Sequence, residues 1–150
     1  MKGKLVVTLQ FILLFALALL PGSKESSQLR SALAALLALL AVFVLFRAFR
    51  DLGSALTPLP ESKEGADLVT SGIYSKIRHP IYSALFILAL AAYLWKHSGS
   101  VLIAALLLIA LLLYKARYED QILRDKFPES IEFQKSIPSF FPKFRKGKKP

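Results

Sequence analysis

The sequence predicts an all-α, polytopic integral membrane protein with about four transmembrane helices, a C-terminal helical hairpin and an interfacial amphipathic tail. Three observations carry this. Hydrophobic residues make up 55% of the chain, and the mean hydropathy is +0.50. They are gathered into four blocks rather than spread at a soluble-protein period. The charged residues fall almost entirely between those blocks.

The blocks are 5–20, 29–49, 81–95 and 101–114. A membrane span takes about 20 residues, with a range of about 17–25. The third and fourth blocks reach that length when His79 and Pro80 are added before one and the basic stretch 115–117 after the other. Lysine and arginine flanks are compatible with this, because their stems lie along apolar surface while the charge reaches the interface. The first block follows Lys2 and Lys4, as a signal peptide would. Its small residues Ala16 and Ala18 lie inside the apolar run, so it is read as a retained span. The organisation expected is one domain, 1–150. It has two N-terminal spans (1–50), a cytoplasmic loop (51–78), a helical hairpin (79–120) and an interfacial basic tail (121–150).

The formal charge is +10. No nucleic-acid motif accompanies it, so the charge is assigned to orientation and to anionic lipid at the basic tail, not to nucleic acid. With four spans, 17 of the 20 lysines and arginines fall on the side of the two termini and 3 on the other. The positive-inside rule then places both termini and the 51–78 loop in the cytoplasm. The chain has no cysteine and two histidines, which excludes disulfides and thiol nucleophiles and argues against a metal site.

The connection 96–100, Lys-His-Ser-Gly-Ser, has room only for a tight turn. Blocks three and four therefore form an antiparallel hairpin, in which His79 is level with Arg117 and Arg78 with Tyr118, to within about one helical turn. This brings Arg78, His79 and Tyr82 to face Arg117, Tyr118, Glu119 and Asp120. Each has a plain structural explanation. Pro80 suits a helix start. Tyr74, Tyr82 and Trp95 suit an interfacial belt. Glu119 and Asp120 can pair with Lys115 and Arg124 along their own helix. Two opposed clusters of mixed charge at membrane depth favour a functional reading over the sum of these.

The stretch 56–82, Leu-Thr-Pro-Leu-Pro-Glu-Ser-Lys-Glu-Gly-Ala-Asp-Leu-Val-Thr-Ser-Gly-Ile-Tyr-Ser-Lys-Ile-Arg-His-Pro-Ile-Tyr, resembles the signature of the isoprenylcysteine carboxyl methyltransferase family. That family is grouped with the phospholipid-methyltransferase-like membrane proteins. The matching elements are Gly72-Ile73-Tyr74, Arg78-His79-Pro80-Ile81-Tyr82, the acidic pair Glu119-Asp120, and Pro138 and Pro142 in the tail. The chain departs from the pattern at several points. Asp120 replaces the second glutamate, Ala84 a glycine, and Phe127-Pro128 a Phe-Gly pair. Ile131 and Gln134 replace tail tyrosines, and Ser139 stands between the tail prolines where many members have arginine.

The resemblance implies a membrane S-adenosylmethionine-dependent methyltransferase acting on a lipid-soluble acceptor drawn from the bilayer, with an isoprenylcysteine-type carboxylate as one candidate. The cofactor-binding set it implies is Leu68, Val69, Gly72, Tyr74, Arg78, His79, Tyr82, Glu119 and Asp120, with no metal. Arg78 and His79 suit the cofactor's carboxylate. Glu119 or Asp120 suits its amine or ribose diol, and Leu68, Val69 and Ile73 suit adenine. Methyl transfer is an in-line displacement governed by positioning. A carboxylate acceptor is already ionised and needs no base. A lipid amine needs one, and His79 or Glu119 is then the candidate. Three alternatives stand beside this reading: a lipid-amine methyltransferase, an NADPH-dependent membrane reductase, and a non-catalytic membrane protein of the same fold.

Overall fold

A computed structural model describes residues 2–24, 27–53, 57 and 68–142. Residues 54–56 and 58–67 of the expected 51–78 loop, including Lys63, and the basic end 143–150 lie outside these residues. Among the described residues the chain forms five α-helices, a 3-10 turn and no strand.

Helix α1 (Lys2–Leu19) stops just ahead of Pro21, where the proline disfavours helical backbone in the residue before it. Helix α2 (Gln28–Leu52) starts behind Ser27, whose side chain accepts from the Arg30 N–H, and ends at Gly53 with φ 53°. A 3-10 turn (Gly72–Ser75) precedes α3 (Pro80–Lys96). Pro80 opens α3, where its missing N–H costs nothing. His97 closes it in the left-handed conformation, φ 44°, a C-terminal position more often given to glycine. Helix α4 (Gly99–Lys126) has 28 residues and outruns its apolar block. Nothing breaks it before Pro128, and the polar stretch is made of good helix formers. A short α5 (Ser130–Ser136) follows.

Helix α3 is the hub. It packs most extensively on α2 and also on α4, while α4 carries α1. The α2 contact is a seam of small residues. Ala34, Ala41 and Ala48 recur every seventh residue and are the buried positions of α2. Ala84 and Ala91 share the same spacing on α3 and are buried too. Small side chains let the backbones approach closely, a common device where lipid is the solvent. The opposite face of α3, with Tyr82, Leu85 and Ala89, joins Val101, Leu108 and Leu112 of α4 and Leu17 of α1 in one core cluster.

The outside is apolar. Leu36, Leu39, Phe43 and Phe46 of α2 and Ile103, Leu106 and Leu107 of α4 are exposed. Helices α2 and α4 are long and apolar enough to cross a membrane, and α1 and α3 are shorter apolar helices.

Both ends of the bundle are tied by polar groups. At one end the Lys96 ammonium donates to the carbonyls of Leu17, Ala18 and Leu20 at 2.9, 2.6 and 2.7 Å. These are carbonyls that the end of α1 leaves without helical donors, and a cation there also complements the helix dipole. The Ser23 N–H returns a bond to the Lys96 carbonyl at 2.7 Å. The C-termini of α1 and α3 therefore meet. At the other end Asp51, in the last turn of α2, accepts from the Ile73 N–H at 2.8 Å. That joins the C-terminus of α2 to the turn leading into α3.

The hairpin forms, with a register correction. His79 meets Asp120 rather than Arg117. Side chains tilt toward the N-terminus of their own helix. On α3 the tilt carries His79 outward, and on α4 it carries Asp120 back toward the turn. The residues that touch are therefore farther from the turn on α4 than a level count of backbone positions gives.

The alanine seam makes a prediction. Ala41 is 0% exposed, and Leu39 two residues away is 70% exposed. Ala41→Leu should lower stability by about 1–3 kcal/mol through overpacking. Leu39→Ala should stay within about 0.5 kcal/mol. Thermal unfolding in detergent measures both.

Candidate functional site

The N-terminus of α3, the polar part of α4 and the tail after α5 converge on one point. Asp120 is at its centre. Its Oδ1 lies 3.0 Å from His79 Nε2, and its Oδ2 lies 2.5 Å from Arg78 Nη1. Its backbone carbonyl accepts from the Gln134 side-chain amide at 2.9 Å. The other face of Gln134 accepts from Arg124 Nε at 2.8 Å, which fixes α5 against the end of α4.

Arg78 is a three-way clamp. Its Nε donates to the Ile137 carbonyl at 3.0 Å and its Nη2 to Ser139 Oγ at 2.6 Å. Backbone bonds from Arg78 N–H to Pro138 and from His79 N–H to Ser139, at 3.0 and 2.8 Å, lay the tail across the start of α3. They satisfy donors just ahead of the first helical turn. Ser83 Oγ donates to the Phe140 carbonyl, and the Phe140 ring packs on His79 and Phe86. Arg78 Nη1 is buried against the Asp120 carboxylate.

Glu119 sits beside this point. Its Oε1 accepts from the Tyr82 hydroxyl at 2.5 Å, and its Oε2 is 3.6 Å from His79 Nδ1. The His79 and Tyr82 rings stack, 5.5 Å apart and 7° from parallel. The Lys115 ammonium lies 5.3 Å from the Tyr82 ring centroid and donates to Gln10 of α1 at 3.1 Å. Tyr74, in the 3-10 turn, is buried. Burial, reinforced by the carboxylates of Glu119 and Asp51, raises its phenol above the usual range.

The structure therefore gathers Arg78, His79, Tyr82, Glu119 and Asp120 as direct contacts, with Tyr74 close by. Gly72 serves the turn. It has φ 58°, and a Cβ there would collide with the Asp51 carboxylate. Leu68, Val69 and Ile73 are half-buried in the segment before α3. Two expected members fall outside the cluster. Arg117 is exposed, and Tyr118 makes none of the cluster's hydrogen bonds. The helical period explains this, since Leu112, Lys115, Ala116 and Asp120 are the buried face of α4 here, and 117 and 118 point away.

In the sequence Lys115 reads as a flank charge and as a helical-spacing partner of Glu119; the structure turns it inward, onto Gln10 and over the Tyr82 ring. Asp51, Ser83, Ser139 and Phe140 carried no periodic signal, because they act through tertiary bonds. Gln134 and Ser139, noted as departures from a family pattern, have defined jobs: one holds the Asp120 carbonyl and the other accepts from Arg78.

Residues 29–130, more than half of the chain, match the family model described as phospholipid methyltransferase. The chain belongs to the phospholipid methyltransferase family. The resemblance noted in the Arg-His-Pro stretch is to the same group. Two curated relatives are similar over part of this phospholipid methyltransferase family chain. The nickel-cobalt-cadmium resistance protein NccN of Alcaligenes xylosoxydans xylosoxydans is 38% identical over 86 residues, 54% of this chain and 38% of that protein. The cobalt-zinc-cadmium resistance protein CzcN of Cupriavidus metallidurans is 43% identical over 81 residues, 51% of this chain and 36% of that protein. The chain thus spans well under half the length of the curated relatives it matches. Among the described residues no group of three or more His, Cys, Asp or Glu side chains is arranged to hold a metal ion.

The clamp is testable without knowing the reaction. Arg78→Lys keeps the charge and loses the fork that reaches Ile137, Ser139 and Asp120 together. Limited proteolysis should cut the 137–142 segment at least about tenfold faster in this variant, matching the loss of charge-assisted bonds worth about 1.5–3 kcal/mol.

Proposed function

We propose that this protein is a multi-pass membrane methyltransferase that uses S-adenosylmethionine and methylates a lipid-associated acceptor. Four helices cross the bilayer, with the Arg78 end and both termini in the cytoplasm. The observation that carries the reading is the convergence of Arg78, His79, Tyr82, Glu119 and Asp120 at one end of an otherwise apolar bundle, within a chain of the phospholipid methyltransferase family.

The residues suit that cofactor. Arg78 Nη1 already holds the Asp120 carboxylate at 2.5 Å, the kind of partner that the cofactor's carboxylate would also offer. Glu119 and Asp120 are already engaged, but each carboxylate oxygen has a second lone pair that an ammonium or a ribose diol could use. His79, Tyr82 and Phe140 present ring faces. When bound, the cofactor supplies an electrophilic methyl group on a sulfonium.

The protein's own part is positional. Asp120 orients the His79 ring and the Arg78 guanidinium. Tyr82 holds the Glu119 carboxylate through its hydroxyl. The tail strap at Pro138 and Ser139 closes the outer side and limits water. Neutralisation of a cation and an anion along the reaction path is favoured where water is kept out. Both Glu119 oxygens are engaged, one by Tyr82 and one facing His79. An acceptor that needs no proton removed suits this arrangement better than one that needs a free base.

The test is a titration with S-adenosylhomocysteine, which keeps the amine, carboxylate and diol. Glu119→Gln preserves shape and removes the charge. Its affinity should fall about tenfold or more, as expected for a charge-assisted bond worth about 1.5–3 kcal/mol. Equal affinities would remove Glu119 from the site. Binding of NADPH without binding of S-adenosylhomocysteine would replace the reading with a reductase. Transfer of radiolabel from S-adenosylmethionine into membrane lipid or small prenyl thioether acids would identify the acceptor.

A further inference from the structure

Tyr74 carries a hydroxyl that bonds to no described residue, although the side chain is 8% exposed. Its neighbour Tyr82 differs, since that hydroxyl is taken by Glu119. Burial, and after it the carboxylates of Glu119 and Asp51, hold the Tyr74 phenol in its protonated, donating form. A covered donor without a partner is uncommon in a folded protein and calls for an explanation.

The turn that carries Tyr74 has little of its own to hold it. It spans four residues, and the side chain of Ser71 at its start caps nothing. Short 3-10 segments are weak elements. The Ile73 N–H, next to Tyr74, is taken instead by Asp51 Oδ2 at 2.8 Å, from the end of α2 and 22 residues earlier in the chain. The other oxygen, Oδ1, accepts from Arg50 Nε and Nη2 at 3.2 and 3.1 Å. Arg47 Nη2 lies 3.9 Å from Oδ2. Two arginines of α2 thus hold the carboxylate in place. Gly72 completes the fit, because its φ of 58° and its contact with the carboxylate leave no room for a Cβ.

The bundle does not need this bond to bring α2 onto α3, since the alanine seam does that. Asp51 acts on the turn, and the setting is carried onward. The Lys76 and Ile77 N–H groups donate to the Ile73 carbonyl at 3.0 and 3.2 Å, and Ile77 is buried. Arg78 and His79 follow directly. Helix α2 therefore reaches the polar cluster through the backbone of residues 72–77.

We propose that Asp51 is a positioning residue of the polar cluster: through the Ile73 N–H it sets the Gly72–Ser75 turn so that the Tyr74 hydroxyl stands as an uncommitted donor to the bound ligand. The ligand's identity as S-adenosylmethionine rests on the methyltransferase reading, whereas the placement of Tyr74 by Asp51 does not. Asp51 itself touches no ligand in this account.

The experiment uses the full chain in phosphatidylcholine nanodiscs and takes two readouts on each sample. One is the rate of Tyr74 nitration by tetranitromethane, resolved by peptide mapping, and the other is S-adenosylhomocysteine affinity. Asp51→Ala should speed Tyr74 nitration about fivefold or more through local opening of the turn, with Tyr82 in the same sample within about twofold of wild type. Gly72→Ala should do the same from the other side of the contact. Asp51→Asn keeps an oxygen for the Ile73 N–H and should stay within about twofold of wild type in both readouts. Tyr74→Phe should lower S-adenosylhomocysteine affinity about threefold to tenfold, as for a neutral hydrogen bond, and Asp51→Ala should lower it over the same range. The double variant should lose no more than either single one, because both changes remove one interaction. Unchanged Tyr74 nitration in Asp51→Ala and Gly72→Ala overturns the proposal. Additive losses of affinity in the double variant overturn it as well, and so does an Asp51→Asn protein that behaves like Asp51→Ala. A wild-type protein that binds no S-adenosylhomocysteine, with Tyr74 nitration still governed by Asp51, would sink the methyltransferase reading and keep the positioning.

Discussion

The Asp120 carboxylate is the point on which the polar end of the molecule depends. One oxygen meets His79, the other Arg78, and the residue's own carbonyl is held by Gln134. Three separate parts of the chain are joined there: the start of α3, the polar extension of α4, and the segment after it. A buried ion pair alone is a poor source of stability, because both charges lose water. This one is supported by bonds from Arg78 to Ile137 and Ser139, so the guanidinium is not left to Asp120 alone. The arrangement requires α4 to stay helical well past its apolar block. It also requires Pro80 at the first helical position, where the chain can turn from the tail contact into α3 without losing a backbone bond.

The rest of the bundle keeps that point in place. The alanine seam sets the distance between α2 and α3, and Asp51 then carries the end of α2 to the turn at Gly72. Lys96 locks the opposite end by taking three carbonyls of α1 and its exit. With both ends tied, α1 is held alongside α4, and Gln10 reaches Lys115. The family match covers 29–130, so both α1 and the 137–142 strap lie outside the matched stretch. Both parts contact the polar cluster.

Much of this was legible in the sequence, and the limits have physical causes. The four apolar blocks became α1 to α4 because a long apolar run permits little else. The hairpin followed from a connection too short for any other path. Arg78, His79, Tyr82, Glu119 and Asp120 were found by pairing two helix ends, which needs only lengths. The same count could not separate Arg117 from Lys115, since it ignored the direction in which helical side chains tilt and the face that α4 turns inward. The strap over α3 was illegible for a different reason. Pro138 and Ser139 act through a backbone pairing across about 60 residues of chain, and no local pattern records such a contact.

The central claim is that the cluster around Asp120 is where S-adenosylmethionine binds. Ultraviolet cross-linking of radiolabelled S-adenosylmethionine to the protein in nanodiscs, followed by peptide mapping, tests it most directly. The account predicts label on peptides containing residues 72–82 and 115–126, and loss of label in excess S-adenosylhomocysteine. Label confined to α1 or to the Lys96 end, or label that the competitor does not displace, would contradict it.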